Sequence, residues 1–435
     1  MLAGCASGPA VAPPIVRPTP PPPAPNLRDP RFAATATLLA NGKVLIAGGA
    51  AKEEAASSVA EIYDPSADGF TLAGGMLSGR AYHTATLLND GRVLIVGGVG
   101  TNGHSVRAAE IYDPAKNQFQ PTGNLIQARY DHTATLLRNG KVLITGGDAT
   151  TATVTNIDTA ELYDPATGTF SPTGNVTRVY DPAQNKFFHL GKMHSARAKH
   201  TATLLSDGRV LIAGGGDVGG KSLATAEIYD PKSGRFSVVA SMTTSRQMAT
   251  ASRLHNGQVL ITGGVDAGGN VLATAELYNP TRRHFTAVTT IFPRGTNMTD
   301  ERQQHTATVL PNGMVLIAGG GNERYSLASA EVYNPVNGAF ACVGGRSAGP
   351  HTLCAKSMNE YREGASAVLI GNGTVLIAAG YNFGLAPTAG DAGSGAGGGN
   401  APFNLLQTAE FYNPASGTFV SSISEWTARY HPAKK

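Results

Sequence analysis

Arg80-Ala81-Tyr82-His83-Thr84-Ala85-Thr86-Leu87-Leu88-Asn89-Asp90-Gly91-Arg92-Val93-Leu94-Ile95-Val96-Gly97-Gly98 is the stretch that decides the fold. Its first half alternates polar and apolar residues with period two, the pattern of a half-buried strand. Asp90-Gly91 is a two-residue hairpin turn. Val93–Val96 is apolar on both faces, as a strand between two packed sheets must be. The pair Gly97-Gly98 then stops it. Downstream, Ala109-Glu110-Ile111-Tyr112-Asp113-Pro114 reads as a third strand ending at a turn initiator. Phe119 marks a fourth.

The same unit recurs. Copies begin at Arg31, Arg80, Arg129, Arg197, Arg246, Arg302 and Arg362. The uninterrupted ones are spaced by 49 residues (31 to 80 to 129, and 197 to 246). A glycine sits at the first turn in all seven: Gly42, Gly91, Gly140, Gly208, Gly257, Gly313 and Gly373. A repeated unit of this length that cannot bury its own faces must stack on its neighbours. The fold class expected is therefore all-β, seven four-stranded antiparallel blades in a ring.

Composition agrees. Of 435 residues, 54 are Gly and 26 are Pro, while charged residues make up only 15%. That excludes a coiled coil or long-helix protein. Three cysteines exclude a disulfide-dense miniprotein. The net charge is +4 with no long basic run, so no nucleic-acid partner is expected. No apolar stretch is long enough for a transmembrane helix.

The leading Arg, the Gly-Gly, the Glu-x-Tyr-Asp-Pro and the aromatic of the fourth strand resemble the kelch repeat of kelch and galactose-oxidase-like β-propellers. The aromatic is Phe rather than the commoner Trp. The resemblance spans 31–428 and implies a seven-bladed propeller, with 429–435 as a tail or a ring-closing stub. Within it, Arg80-Ala81-Tyr82-His83 resembles the galactose oxidase segment that supplies a copper-binding Tyr and the adjacent His. That would make Tyr82 and His83 copper ligands of an alcohol or sugar oxidase. The family also uses a second Tyr cross-linked to a Cys, and a second His from a further domain; neither has a match in this sequence.

The N-terminal residues 1–30 read differently. Leu2-Ala3-Gly4-Cys5 resembles the lipobox of bacterial lipoproteins, which implies lipidation of Cys5. Ten of the 26 prolines follow between Pro9 and Pro30, an extended spacer. The expectation is a lipid-anchored bacterial envelope protein. Ala6 after the Cys implies the outer membrane by the same resemblance.

Symmetry sorts structural from functional residues. The seven leading arginines could form an anion site. They are matched by seven third-strand glutamates (61, 110, 161, 227, 276, 331 and 410), which predicts structural ion pairs instead. His83, His132, His200 and His305 follow the Arg by three, and Ala34, Ala249 and Ala365 take that place elsewhere. They are expected as packed histidines. Function should lie where the copies differ, on the face carrying the loops between strands two and three and between blades. The candidate binding residues there are Tyr82, His83, His104, Asp148, Asp217, Asp266, Glu323, Arg324, Tyr325 and Tyr381, with Asn322 and Asn382 beside them. No catalytic set is complete. The expectation is a monomeric binding module for a protein or polysaccharide, with no cofactor.

Three irregularities break the repeat. An extra hairpin lies at 177–193 in the third copy. A Gly-rich loop lies in the seventh. Cys342 and Cys354 fall in one excursion, where a disulfide is expected outside the cytoplasm.

Overall fold

The computed structural model describes residues 26–51, 55–150, 154–174, 176–181, 186–288, 297–345, 354–383 and 404–421. Among them there is no helix; seven sheets of four or more strands form the blades, and three two-stranded ribbons accompany them. Blade 2 is typical: Thr84–Leu87, Val93–Val96, Ala109–Asp113 and Gln118–Pro121 pair antiparallel in chain order. The register Thr84↔Val96 and Leu87↔Val93 closes on the Asn89–Arg92 turn. Its second strand is wholly buried, as its unbroken apolar run requires.

The first strands of all seven blades adjoin one another in a closed circle, blade 7 against blade 1. They surround an axial channel. The core lies between blades: Val93, Ile95 and Tyr112 of blade 2 pack against Leu45, Ala47 and Ile62 of blade 1. Turns within hairpins lie on one face. The Gly-Gly loops and inter-blade linkers lie on the other, the loop face.

Each junction is made the same way. The second glycine of one blade donates its N–H to the carbonyl of the next blade's leading Arg, as Gly98 does to Arg129 at 2.9 Å. A Cβ on Gly97, whose φ is +63°, would lie 2.5 Å from that carbonyl. The backbones approach too closely for any side chain. Gly380 N–H to Arg31 carbonyl, 2.9 Å, repeats this contact between blades 7 and 1 and closes the ring. No strand is exchanged among the described residues.

The leading arginines form seven buried ion pairs with the third-strand glutamates, at 2.6–3.1 Å. In blade 2, Arg80 Nη1 also donates to the Gly97 and Ala108 carbonyls. Glu110 in turn accepts the Leu77 and Ser78 N–H groups of the incoming linker. The arginines therefore lock strand and linker from positions wholly out of contact with solvent.

The ring starts earlier than Arg31. Leu27 is buried and its N–H bonds the Gln407 carbonyl; Arg28 N–H bonds Glu61. Leu27 precedes Arg31 by four, as Met76 precedes Arg80 and Leu125 precedes Arg129, and all three are buried. The spacer thus ends inside the propeller. Cys5, the tail 429–435 and the Gly-rich stretch of the seventh blade lie outside the described residues. The extra hairpin of blade 3 spans Val176–Asp181 and Lys186–Lys192 and pairs onto Thr159 and Ala160.

Cys342 and Cys354 form a disulfide. It follows the fourth strand of blade 6, and the Cys354 N–H bonds buried Asp300 of the preceding linker. Closing a span of 12 residues stabilises by about 2–3 kcal/mol through the unfolded chain. Joint Cys342→Ser and Cys354→Ser substitution is expected to lower the melting temperature by that equivalent. Melts with and without dithiothreitol check it, and coincident curves for wild type and variant would refute it.

Candidate functional site

Two residues after each leading Arg, the chain turns left-handed. The positions are Ala33, Tyr82, Asp131, Lys199, Met248, Gln304 and Gly364, with φ between 49° and 61°. A left-handed conformation holds roughly 1–2 kcal/mol of strain in a residue with a Cβ. Glycine would relieve it, and only blade 7 uses glycine. From Tyr82 onward each N–H bonds the carbonyl of the ring residue before it, at 3.0–3.2 Å. The seven residues therefore encircle the channel mouth on the loop face. Their side chains are the part of the repeat that does not repeat.

The residues on either side extend this ring. The residue before each ring position pairs with the one after the Gly-Gly: Phe32 with Ala50, Tyr130 with Asp148, Glu363 with Tyr381. This gathers four aromatics over adjoining blades. Phe32 meets Tyr381 at 5.4 Å and Tyr82 at 6.0 Å, both edge-on, and Tyr82 meets Tyr130 at 6.3 Å. Tyr82 is 38% exposed. Polar groups complete the circle. Lys199 Nζ lies 4.0 Å from Asp131 Oδ2. Tyr130 hydrogen-bonds Asp148. Tyr381 and Ser326 hydrogen-bond Glu363, and Gln304 hydrogen-bonds Tyr381.

Burial dominates the electrostatics. It lifts Asp131 to about 6 against the pull of Lys199, and Glu363 to about 7 against its hydrogen bonds. It lifts Asp148 as well. Desolvation disfavours the charged carboxylate at each.

Of the residues singled out from sequence, Tyr82, Asp148 and Tyr381 meet at this mouth. Asp148 is buried rather than displayed. Asp217 and Asp266 accept N–H groups of their own loops, from Gly219 and Lys221 and from Gly268 and Asn270. Asn322 does the same for Arg324 and Tyr325. His104 closes a turn through its carbonyl, to Gly100 N–H. Glu323 and Arg324 are exposed at a loop tip. Phe32, Tyr130, Asp131, Lys199, Gln304 and Glu363 were missed as site residues. Their signal was present: the second position after the Arg differs in all seven copies of an otherwise regular stretch, and the first takes five different residues.

The four histidines are buried between blades. Their Nε2 atoms meet threonine hydroxyls of the preceding blade: His83 with Thr35 at 3.1 Å, His132 with Thr84 at 2.9 Å, His200 with Thr133 at 3.0 Å and His305 with Thr250 at 2.8 Å. Burial pushes His83, His200 and His305 down to about 3, and His132 well below its ordinary value.

The Kelch motif family model matches residues 197–243, one blade of the seven. The same residues recur around the ring. The fold is a seven-bladed β-propeller, and one of its blades carries the Kelch motif. No curated relative matches it. Among solved structures it is similar to a fungal alcohol oxidase of the AA5 family in complex with copper. That match has a TM-score of 0.58 and 16% identity, over 84% of this chain and 73% of that one. At this identity the likeness is one of fold.

Copper does not fit the donors described at Tyr82 and His83 of this propeller. A metal draws its ligands to roughly 2 Å. His83 Nε2 is turned into the blade interface against Thr35, while Tyr82 stands at the mouth among Phe32 and Tyr130. Among the described residues, the one cluster of three ligand-type groups is Glu331, Cys342 and Cys354, and its sulfurs are joined in the disulfide.

Proposed function

We propose that this chain is a non-enzymatic binding module that holds a protein or glycan ligand over the channel mouth of its loop face. A lipid on Cys5 and the Pro-rich spacer would hold it at a bacterial outer membrane. The observation that carries the binding reading is the ring at 33, 82, 131, 199, 248, 304 and 364. Six of its members keep a side chain in a conformation that favours glycine. The ring's backbone hydrogen bonds need the left-handed turn but not a side chain on it, as Gly364 shows, and strain retained beyond structural need concentrates at functional sites.

The test uses that strain. In a triple variant, Tyr82→Gly, Lys199→Gly and Gln304→Gly, the folded backbone relaxes while the unfolded chain gains freedom. Its stability is expected to equal the wild type or exceed it by about 1 kcal/mol, while ligand retention from envelope fractions is lost. A destabilised triple variant, or one that retains ligand as the wild type does, refutes the assignment. Copper titration supplies the opposing arm. Stoichiometric uptake abolished by Tyr82→Phe would replace the binding module with an oxidase.

A further inference from the structure

Building on the binding reading above, we infer that the ligand seated at the mouth is a neutral saccharide, with one sugar ring resting on Tyr82 and its hydroxyl edge directed at Asp131, Lys199 and Gln304. The mouth is divided by chemistry. Blades 7, 1, 2 and 3 contribute the aromatic arc of Tyr381, Phe32, Tyr82 and Tyr130. The ring positions of blades 4, 5 and 6 are Lys199, Met248 and Gln304, two of them polar, and the carboxyls of Asp131 in blade 3 and Glu363 in blade 7 flank them. A pyranose has the same division: an apolar C–H face and a rim of hydroxyls that both donate and accept. Tyr82 suits the apolar face. It is the exposed ring of the arc, and Phe32 and Tyr130 meet it at interplanar angles of 81° and 60° rather than stacked on it. Carboxylate, ammonium and amide groups together match hydroxyls, which take either role.

Charge narrows the class further. Among the described residues, the mouth holds the carboxyls of Asp131, Asp148 and Glu363 and the ammonium of Lys199, which stands 4.0 Å from Asp131. An anionic ligand such as a uronate or a phosphorylated sugar would meet like charge there. Size separates a sugar from a protein. A stable protein partner covers about 800 Å² per side around buried apolar anchors, whereas Tyr82, the exposed ring of the axial arc, offers the footprint of a single sugar.

The experiment is calorimetric titration of the disulfide-intact chain. The probes are neutral gluco-, galacto- and N-acetylglucosamine oligosaccharides, an oligogalacturonate and a set of unstructured peptides. Binding to at least one neutral oligosaccharide is expected. Tyr82→Gly should weaken it about tenfold or more, and Tyr82→Phe should bring affinity back to within about threefold, because stacking rather than the hydroxyl carries the contact. No heat with any neutral sugar, or tighter binding of the oligogalacturonate, overturns the saccharide inference. Peptide binding lost in Tyr82→Gly overturns it too, but leaves the mouth as the binding site. Sugar binding indifferent to both Tyr82 substitutions overturns the inference and the mouth together.

Discussion

Glu161→Ala is expected to destabilise the propeller by about 3–5 kcal/mol, a large part of the ~5–15 kcal/mol that separates a folded domain from its unfolded chain. Glu161 and Arg129 are both completely buried and pair at 2.8 Å. Glu161 also accepts the Ile126 N–H at 2.7 Å and the Gln127 N–H at 3.1 Å. Alanine would leave a guanidinium without its counter-charge and two linker N–H groups without an acceptor. Glu161→Gln keeps some of the hydrogen bonding and none of the charge, so its loss should be smaller. The pair Arg129→Met with Glu161→Leu removes both charges, and should recover much of the loss because no charge stays buried alone. Urea unfolding of the four proteins measures this. A Glu161→Ala midpoint within 1 kcal/mol of wild type would show that the ion pair does not lock the blade.

The second large effect is expected with acid. His83, His200 and His305 titrate near 3 in the fold, against 6.5 for the unfolded side chain. Between those values the unfolded chain binds protons that the folded chain refuses. The stability these groups contribute is therefore complete above pH 6.5, and is lost as pH falls toward 3. At roughly 1.4 kcal/mol per pH unit, the loss per histidine reaches about 5 kcal/mol at the acid limit. Asp131 and Glu363 work in the opposite direction. Their folded values are raised to about 6 and about 7, so their stability is present at low pH and is lost on rising through those values. Two shifts of this sign offset only part of three larger ones. Urea unfolding at pH 7, 5 and 4 should show steep loss. His200→Ala places in blade 4 the residue that blades 1, 5 and 7 already carry as Ala34, Ala249 and Ala365. It should flatten the pH dependence by one histidine's share even if the emptied space lowers stability at pH 7. An unchanged slope would mean that His200 is not held neutral between the blades.

Much of this was legible in the chain itself. The hairpin at Asp90-Gly91, the alternation of Thr84–Leu87 and the apolar run Val93–Val96 act within a few residues, so seven repetitions could be counted without coordinates. The pairing of arginines with glutamates was legible for a related reason. One arginine and one glutamate per unit predict a structural pair, and the structure places that pair within a blade, Arg80 reaching Glu110 of its own. The candidate site was legible only in part. Tyr82, Asp148 and Tyr381 stood out because they break the pattern of their neighbours. Asp217 and Asp266 broke it too, yet each carboxylate is used by its own loop, and no rule of sequence separates a carboxylate shaping its turn from one facing a ligand.

The sequence by itself determined seven antiparallel blades, their turns, the matching of arginines to glutamates and the face on which variation collects. Those features depend on contacts along one unit, which the 49-residue period carries. Only the tertiary structure decided the ring closure through Gly380 and Arg31, the burial of Leu27, the neutral histidines and the channel mouth. Phe32 and Tyr381 belong to opposite ends of the chain and stand 5.4 Å apart. They meet because blade 7 packs on blade 1, and the left-handed turn after each arginine holds one side chain per blade at the axis.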